Sequence, residues 1–242
     1  MRPDVSHFSF LISHFSFLIS HLSLFFPPLS QTLSNGLLAV GGELEPAWLL
    51  DAYTHGIFPW PITGGQGYSQ LAWWSPDPRA IFEWDNIHVP RRLLRIIRNN
   101  PFEMTCNTDF AGVIRGCAQP RGDDSATWIT PDMIVAYIRL HELGWAHSVE
   151  AKLDGRLVGG VYGVAINGLF AAESMFHQVP NASKVALVWL LEHLHACGCS
   201  LVDIQMVTPI TAQFGAAEIS RREYLRRLKI AMERTEVTFA GV

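Results

Sequence analysis

Residues 146–178 read AHSVEAKLDGRLVGGVYGVAINGLFAAESMFHQ, and this stretch decides the fold. Three apolar runs are separated by Asp154-Gly155 and Asn167-Gly168. Such dipeptides favour two-residue hairpin turns because they tolerate φ > 0, so the runs predict an antiparallel meander. Asn181 then stands as a candidate cap for a helix over about 182–196, stopped at Gly198. SLVDIQMV, 200–207, reads as a buried strand with Asp203 and Gln205 embedded in it. Two residues apart, those side chains are expected on one strand face. Upstream, TPDMIVAYIRLHELG predicts a helix ending at Gly144; downstream, ISRREYLRRLKIAME predicts a last helix with a basic outer face. The expectation is an α+β (mixed α/β) fold.

Meander, helix, strand resembles the core order of the GNAT (N-acetyltransferase) superfamily, which transfers acyl groups to amines. The likeness is one of fold alone. In that superfamily a Gly-rich turn before the helix holds the acyl-CoA pyrophosphate. Here the same place reads VPNASKV, with no glycine, which disfavours acyl-CoA.

The first half is organised differently. Gly56–Arg79 reads GIFPWPITGGQGYSQLAWWSPDPR, with Pro59, Pro61, Pro76 and Pro78 bracing it. Prolines fix φ and remove donors, so neither a helix nor a central strand is expected there. Trp60, Trp73 and Trp74 on such a stretch suit either a recognition surface or a local core; each indole offers roughly 150–250 Å² of contact. Trp60 is the candidate for stacking on a base, with Trp73 and Trp74 as scaffold. Pro46–His55 reads as a short helix with a first-turn proline. AIFEW, 80–84, alternates like a strand. In HVPRRLLRIIRNNP, 88–101, Arg91, Arg95 and Arg98 fall on one helical face beside Arg92, opposite Leu93, Leu94, Ile96 and Ile97. No acid accompanies them, which points to phosphate contact rather than a merely solvated face.

The chain has 242 residues, a net charge of −4 and 49% hydrophobic residues, enough for a sizeable core and too acidic overall for a generally basic nucleic-acid binder. Cys106, Cys117, Cys197 and Cys199 form no CxxC pair and read as reduced thiols of a cytoplasmic protein. Residues 6–26 are three near-identical heptads, SHFSFLI, SHFSFLI and SHLSLFF. Their recurring Ser and His argue against a membrane span, and a misassigned start or a leader outside the fold is expected. The expected division is 1–26 leader, 27–100 N-terminal domain and 101–242 catalytic domain.

Glu173, Asp203 and Gln205 are polar groups inside apolar strands and must be paired. No GxSxG elbow is present. His141-Glu142 lacks the second histidine of HExxH, and His193 and His195 point to different faces, so no metal is expected. The remaining chemistry is positioning and proton handling.

GLLAVGGEL, GIFPW, WWSPDPRA, TWIT, GWAHSVE, LVGGVYGV, ESMF, NASK and the DIQ strand together resemble the bacterial leucyl/phenylalanyl-tRNA–protein transferase family, in order from about Asn35 to Leu228. The resemblance implies a small N-terminal domain joined to a GNAT-like domain. It implies transfer of Leu or Phe, less readily Met, from aminoacyl-tRNA to the N-terminal Arg or Lys of a protein, marking it for degradation by the N-degron pathway. No cofactor, no membrane partner and a monomer are expected. By similarity, Trp60 and Trp128 would contact the 3′-terminal adenosine. Val161, Phe170 and Met175 would line the side-chain pocket, and Glu173 would hold the aminoacyl or ribose end. Asp203 and Gln205 would be the catalytic pair, with Asp203 positioning Gln205; Arg91, Arg95 and Arg98 would hold acceptor-stem phosphates. Thr208 and Ile210 stand where many members carry Asn and His, and the tail after the last helix is short. The rival classes are an acyl-CoA N-acyltransferase and a non-catalytic RNA-binding module.

Overall fold

The computed structural model describes residues 23–64, 69–99, 101–120 and 127–239. The first half runs β1 (Leu37–Val40), α1 (Pro46–Thr54), β2 (Phe58–Pro59), β3 (Ile62–Thr63), β4 (Ser69–Gln70), β5 (Ala72–Trp74), β6 (Arg79–Phe82) and α2 (Arg91–Asn99). Then come β7 (Glu103–Cys106), α3 (Phe110–Cys117), α4 (Pro131–Glu142), β8 (Ala146–Leu153), β9 (Arg156–Ile166) and β10 (Leu169–His177). The chain closes with α5 (Ala182–Ala196), β11 (Leu201–Gln205), α6 (Pro209–Ala212), β12 (Ala217–Ile219) and α7 (Arg221–Met232).

Seven strands form one mixed sheet in the order β12-β6-β11-β10-β9-β8-β7. β8, β9 and β10 are the expected antiparallel meander. At the first turn Asp154 and Gly155 both have positive φ; at the second, Asn167 does. β11 lies parallel to β10, and α5 supplies the crossover that a parallel pair requires. Only three residue pairs are matched there, Leu169↔Leu201 to Ala171↔Asp203. β10 then runs on to His177 while β11 stops at Gln205, so the sheet splits between them. Tyr53, Tyr137, Tyr162 and Tyr224 belong to one buried cluster, with α1, α3, α4 and α7. Leu93, Val161, Phe170 and the apolar face of α5 belong to the other. Neighbouring Val161 and Tyr162 fall in opposite clusters, as strand alternation requires.

Several local readings change. The proline-braced stretch does contain a central strand: β5 lies between β1 and β2 in a three-stranded sheet. Pro59 sits in the edge strand β2, and Pro76 and Pro78 come after β5, so Ala72–Trp74 is free of proline and can donate on both sides. All four residues of β6 are buried, without the expected alternation, because β6 is an interior strand between β11 and β12. It lies within the expected 27–100 unit yet belongs to the large sheet. Asn181 precedes α5 but makes no side-chain cap hydrogen bond; it takes a left-handed φ of 72° instead. Asparagine adopts that region more readily than most residues.

Residues 1–22 of the heptad leader, Gly65–Tyr68 of the aromatic stretch and residues 240–242 lie outside the described residues. Ser23–Phe26 are docked rather than free. The Ser23 hydroxyl donates to Asp51 Oδ2 at 2.5 Å, and the Leu24 and Phe25 amides donate to the same carboxylate. Phe25 stacks on Trp48 at 4.6 Å, and Phe26 meets Trp73 edge-on at 4.7 Å. The reading of 1–26 as wholly outside the fold is therefore corrected at its last four residues: they satisfy a buried carboxylate and bury an aromatic ring.

Candidate active site

Two strand irregularities build the site. In β10, Ala172 faces Gly163 and Ser174 faces Tyr162, so Glu173 is an extra residue. In β11, Asp203 faces Ile81 and Gln205 faces Ala80, so Ile204 is extra, and Gln205 has a φ of 57°. Bulges re-aim side chains that regular alternation would send elsewhere. Here they lie where β10 and β11 part, and Gln205 Nε2 donates to Glu173 Oε1 at 3.4 Å.

The expected relation of Asp203 to Gln205 takes another form. The two do not share a regular strand face, because the bulge falls between them. The Gln205 backbone amide donates to Asp203 Oδ1 at 2.9 Å, so the carboxylate holds the chain and leaves the side chain of Gln205 free to turn to Glu173. Asp203 itself is sealed. Arg79 grips it in a bidentate fork, Nε to Oδ1 at 2.8 Å and Nη2 to Oδ2 at 2.6 Å, and Tyr224 Oη donates to Oδ2 at 2.9 Å. Four donors occupy a carboxylate with no exposed surface. Arg79 is equally buried, donates to the Gly56 carbonyl at 3.0 Å, and lies between the rings of Phe58 and Tyr224. Burial pulls its pKa down, but the Asp203 charge more than offsets this, and Arg79 stays firmly cationic.

Glu173 keeps some accessible surface. Tyr53 Oη donates to its Oε1 at 2.8 Å, Tyr137 Oη approaches its Oε2 at 3.2 Å, and the two phenols are in short hydrogen-bond contact with each other. Burial pushes the Glu173 carboxyl up to about 7; the negative charge of Asp203 adds to the rise, and the hydrogen bonds from both tyrosines oppose it. Sequence reasoning misses Arg79, Tyr224, Tyr53 and Tyr137. Signals for them exist: an arginine opening the apolar run AIF, and Tyr137 on the same helical face as Met133, Ala136 and Leu140, where a buried phenol needs a partner.

The other expected residues fall into three groups. Trp60 and Trp128 come together, but on each other: the rings stack at 4.5 Å and 11°. Trp74 Nε1 donates to the Trp60 carbonyl at 2.7 Å, and Trp73, fully buried, donates to the Gly41 carbonyl at 2.8 Å. Val161 and Met175 are directly paired across β9 and β10. Val161 and Phe170 are buried in the α5-side cluster, with Phe170 against Phe239 at 5.7 Å, so the structure holds these positions packed rather than as an open pocket. Arg91, Arg95 and Arg98, with Arg92, are exposed on α2, while Leu93 is buried beneath them. No ion pair involves the four arginines among the described residues. The basic face of α7 differs: Arg226 and Arg227 are paired with Glu223, and Arg227 also with Glu83. Thr208, at a departure from the family pattern, caps α6 in a reciprocal capping box with Thr211. Among the described residues no three His, Cys, Asp or Glu side chains form a metal-binding group, and no helix is long and apolar enough to cross a membrane.

A split mixed sheet lined by an amide and a carboxyl, in a chain with an exposed cationic helix, is the candidate site. The family profile for leucyl/phenylalanyl-tRNA protein transferase matches residues 81–229, and the profile for its N-terminal domain matches residues 42–77. The leucyl/phenylalanyl-tRNA–protein transferase of Azoarcus sp. (strain BH72) is 49% identical over 206 residues, 84% of this chain and 86% of that protein. The protein of the same description from Nitratidesulfovibrio vulgaris (strain DP4) is 50% identical over 201 residues, 83% and 84% of the two chains. Among solved structures, a GCN5-related N-acetyltransferase from Kribbella flavida aligns with a TM-score of 0.37 at 11% identity, over 72% of this chain and 61% of that one. L-PGS from Bacillus licheniformis aligns with a TM-score of 0.40 at 11% identity, over 76% and 62%. The chain belongs to the leucyl/phenylalanyl-tRNA–protein transferase family.

Proposed function

We propose that this enzyme moves Leu or Phe from aminoacyl-tRNA to the N-terminal Arg or Lys of an acceptor protein, in the cytoplasm, as a monomer, and so marks it for the N-degron pathway. The observation that carries the site assignment is Gln205: its backbone is clamped by Asp203 while its side chain turns across the split to Glu173.

The reaction needs no protein nucleophile. The acceptor nitrogen attacks the ester carbonyl carbon, an amide C–N bond forms, and the ester C–O bond breaks. The proton lost by nitrogen ends on the ribose oxygen. Aligning the two substrates can supply about 7–11 kcal/mol in ideal cases. With Gln205 Nε2 engaged by Glu173, its amide oxygen is left to accept a hydrogen bond from the attacking amine. Gln205 and Glu173 are the groups proposed to touch substrate. Asp203, saturated by four donors, is a positioning residue. Trp60 and Trp128 are proposed to stack on the terminal adenine, either on an outer face of the pair or between parted rings. Val161, Phe170 and Met175 are proposed to receive the Leu or Phe side chain after repacking. The arginines Arg91, Arg95 and Arg98 are proposed to hold acceptor-stem phosphates. Residues 27–100 and 101–242 are proposed as the two functional units, with β6 shared between them.

The test is transfer of labelled Phe from Phe-tRNA to a peptide beginning with Arg. Transfer by the intact protein and loss of most of it in Gln205→Ala is the expected result. Activity with acyl-CoA and none with charged tRNA would overturn the assignment.

A further inference from the structure

Three oxygen–oxygen contacts close a ring at the site: Tyr53 Oη to Glu173 Oε1 at 2.8 Å, Tyr137 Oη to Glu173 Oε2 at 3.2 Å, and the short contact between the two phenols. Two phenols bring two protons. If Glu173 is ionised, two protons cannot serve three contacts, and whichever way the phenols turn one oxygen–oxygen contact is left without a proton. A third proton resolves the conflict. The Glu173 acid donates to Tyr137, Tyr137 donates to Tyr53, and Tyr53 donates back to Glu173, so each contact holds one proton. Burial favours the same outcome, since Tyr53 and Tyr137 are buried and an ionised group against them is costly.

We propose that Glu173 rests as a neutral carboxylic acid in a closed hydrogen-bond ring with Tyr53 and Tyr137, and that these tyrosines are positioning residues which hold the carboxyl and ease its ionisation when an amine cation arrives. The other groups facing Glu173 are consistent with this. Gln205 is neutral, Tyr162 is a buried phenol with no hydrogen-bond partner among the described residues, and Arg79 and Asp203 cancel as a pair. The site at rest therefore carries no net charge. Its carboxyl titrates near neutrality, about 7, raised first by burial. Tyr53 and Tyr137 are both pushed well above the ordinary phenol value, again first by burial, so the carboxyl is the group of the ring that releases the proton. Resting on the function proposed above, the cation is the α-ammonium of the aminoacyl ester. When it binds, the Glu173 O–H bond breaks, the proton passes to solvent, and a carboxylate–ammonium pair remains.

Infrared spectra of the full chain, recorded across neutral pH, test the resting state without any substrate. A protonated-carboxyl C=O band that fades with a midpoint near 7 and is missing in Glu173→Gln is expected. Absence of that band below neutrality in the unaltered protein would overturn the proposal, whatever the activity. Tyr53→Phe and Tyr137→Phe each remove a donor that helps the ionised form more than the neutral one, so the midpoint should rise by about one unit. An unmoved midpoint would remove their positioning role. Calorimetric titration with adenosine bearing phenylalanine through a 3′ amide, in buffers of different ionisation enthalpy, reads the coupling. Close to one proton released per molecule bound below the midpoint supports it, and none released overturns it.

Discussion

Arg79→Met isolates what the buried ion pair does. Arg79 supplies two of the four donors on Asp203, and both side chains are out of water. Methionine fills similar length and still packs against Phe58 and Tyr224, so the surroundings change little. What remains is a buried carboxylate held only by the Tyr224 hydroxyl and the Gln205 amide. Removing one partner of a buried pair costs about 3–5 kcal/mol, because the other charge is left uncompensated. For a chain of this size each kcal/mol lowers the melting temperature by roughly 2–4 °C, so a fall of about 6–20 °C is expected.

The double variant Arg79→Met/Asp203→Leu removes both charges. Replacing a buried pair by apolar groups is often neutral or stabilising, so most of the melting temperature should return. Transfer activity should not return, because the Gln205 amide no longer has its acceptor and the side chain that faces Glu173 is no longer fixed. Thermal melts and Phe transfer to an Arg-starting peptide, measured on both variants, separate the two effects. A destabilisation under about 1 kcal/mol in Arg79→Met would show the pair is not desolvated. Full activity in the stable double variant would refute the clamp on Gln205.

Stability should also respond to Glu173. Its carboxyl is raised in the fold from 4.5 to about 7, so the folded state holds the proton more tightly, and stability present below about 4.5 is lost as pH rises through 7. At about 1.4 kcal/mol per unit the loss is about 3 kcal/mol, and Glu173→Gln should flatten that slope in denaturant titrations. Arg91→Ala/Arg95→Ala should weaken tRNA binding and reduce the salt slope by about one for each phosphate no longer neutralised, while Arg226→Ala, already paired with Glu223, should leave the slope unchanged. A chain beginning at Ser23 should melt higher than one beginning at Pro27, since only the first keeps the three donors on Asp51; equal melts would refute the docking of Ser23–Phe26.

Much of the framework is legible in the sequence because it rests on local rules. Asp154-Gly155 and Asn167-Gly168 announce the meander, and the arginine periodicity of 91–98 announces an exposed cationic helix. The aromatic stretch misleads when its prolines are counted over the whole length. A central strand needs only a few residues free of them, and Ala72–Trp74 has them. The geometry of the candidate site is less legible for a sharper reason. Alternation says that Asp203 and Gln205 share a face, and one extra residue, Ile204, cancels the rule; Glu173 escapes it in the same way on β10. A bulge leaves no mark in residue identity when the inserted residue is as apolar as its neighbours. Nor can a strand pattern name partners 120 or more positions away, such as Tyr53 for Glu173 or Arg79 for Asp203. The polar residues that stand out in apolar strands do come together, but the roles proposed for them depend on which of them the long-range partners saturate. Asp203 receives four donors and has no exposed surface, so it can act only through what it holds. Glu173 keeps accessible surface and a carboxyl near neutrality, so of the two carboxyls it is the one proposed to meet the substrate.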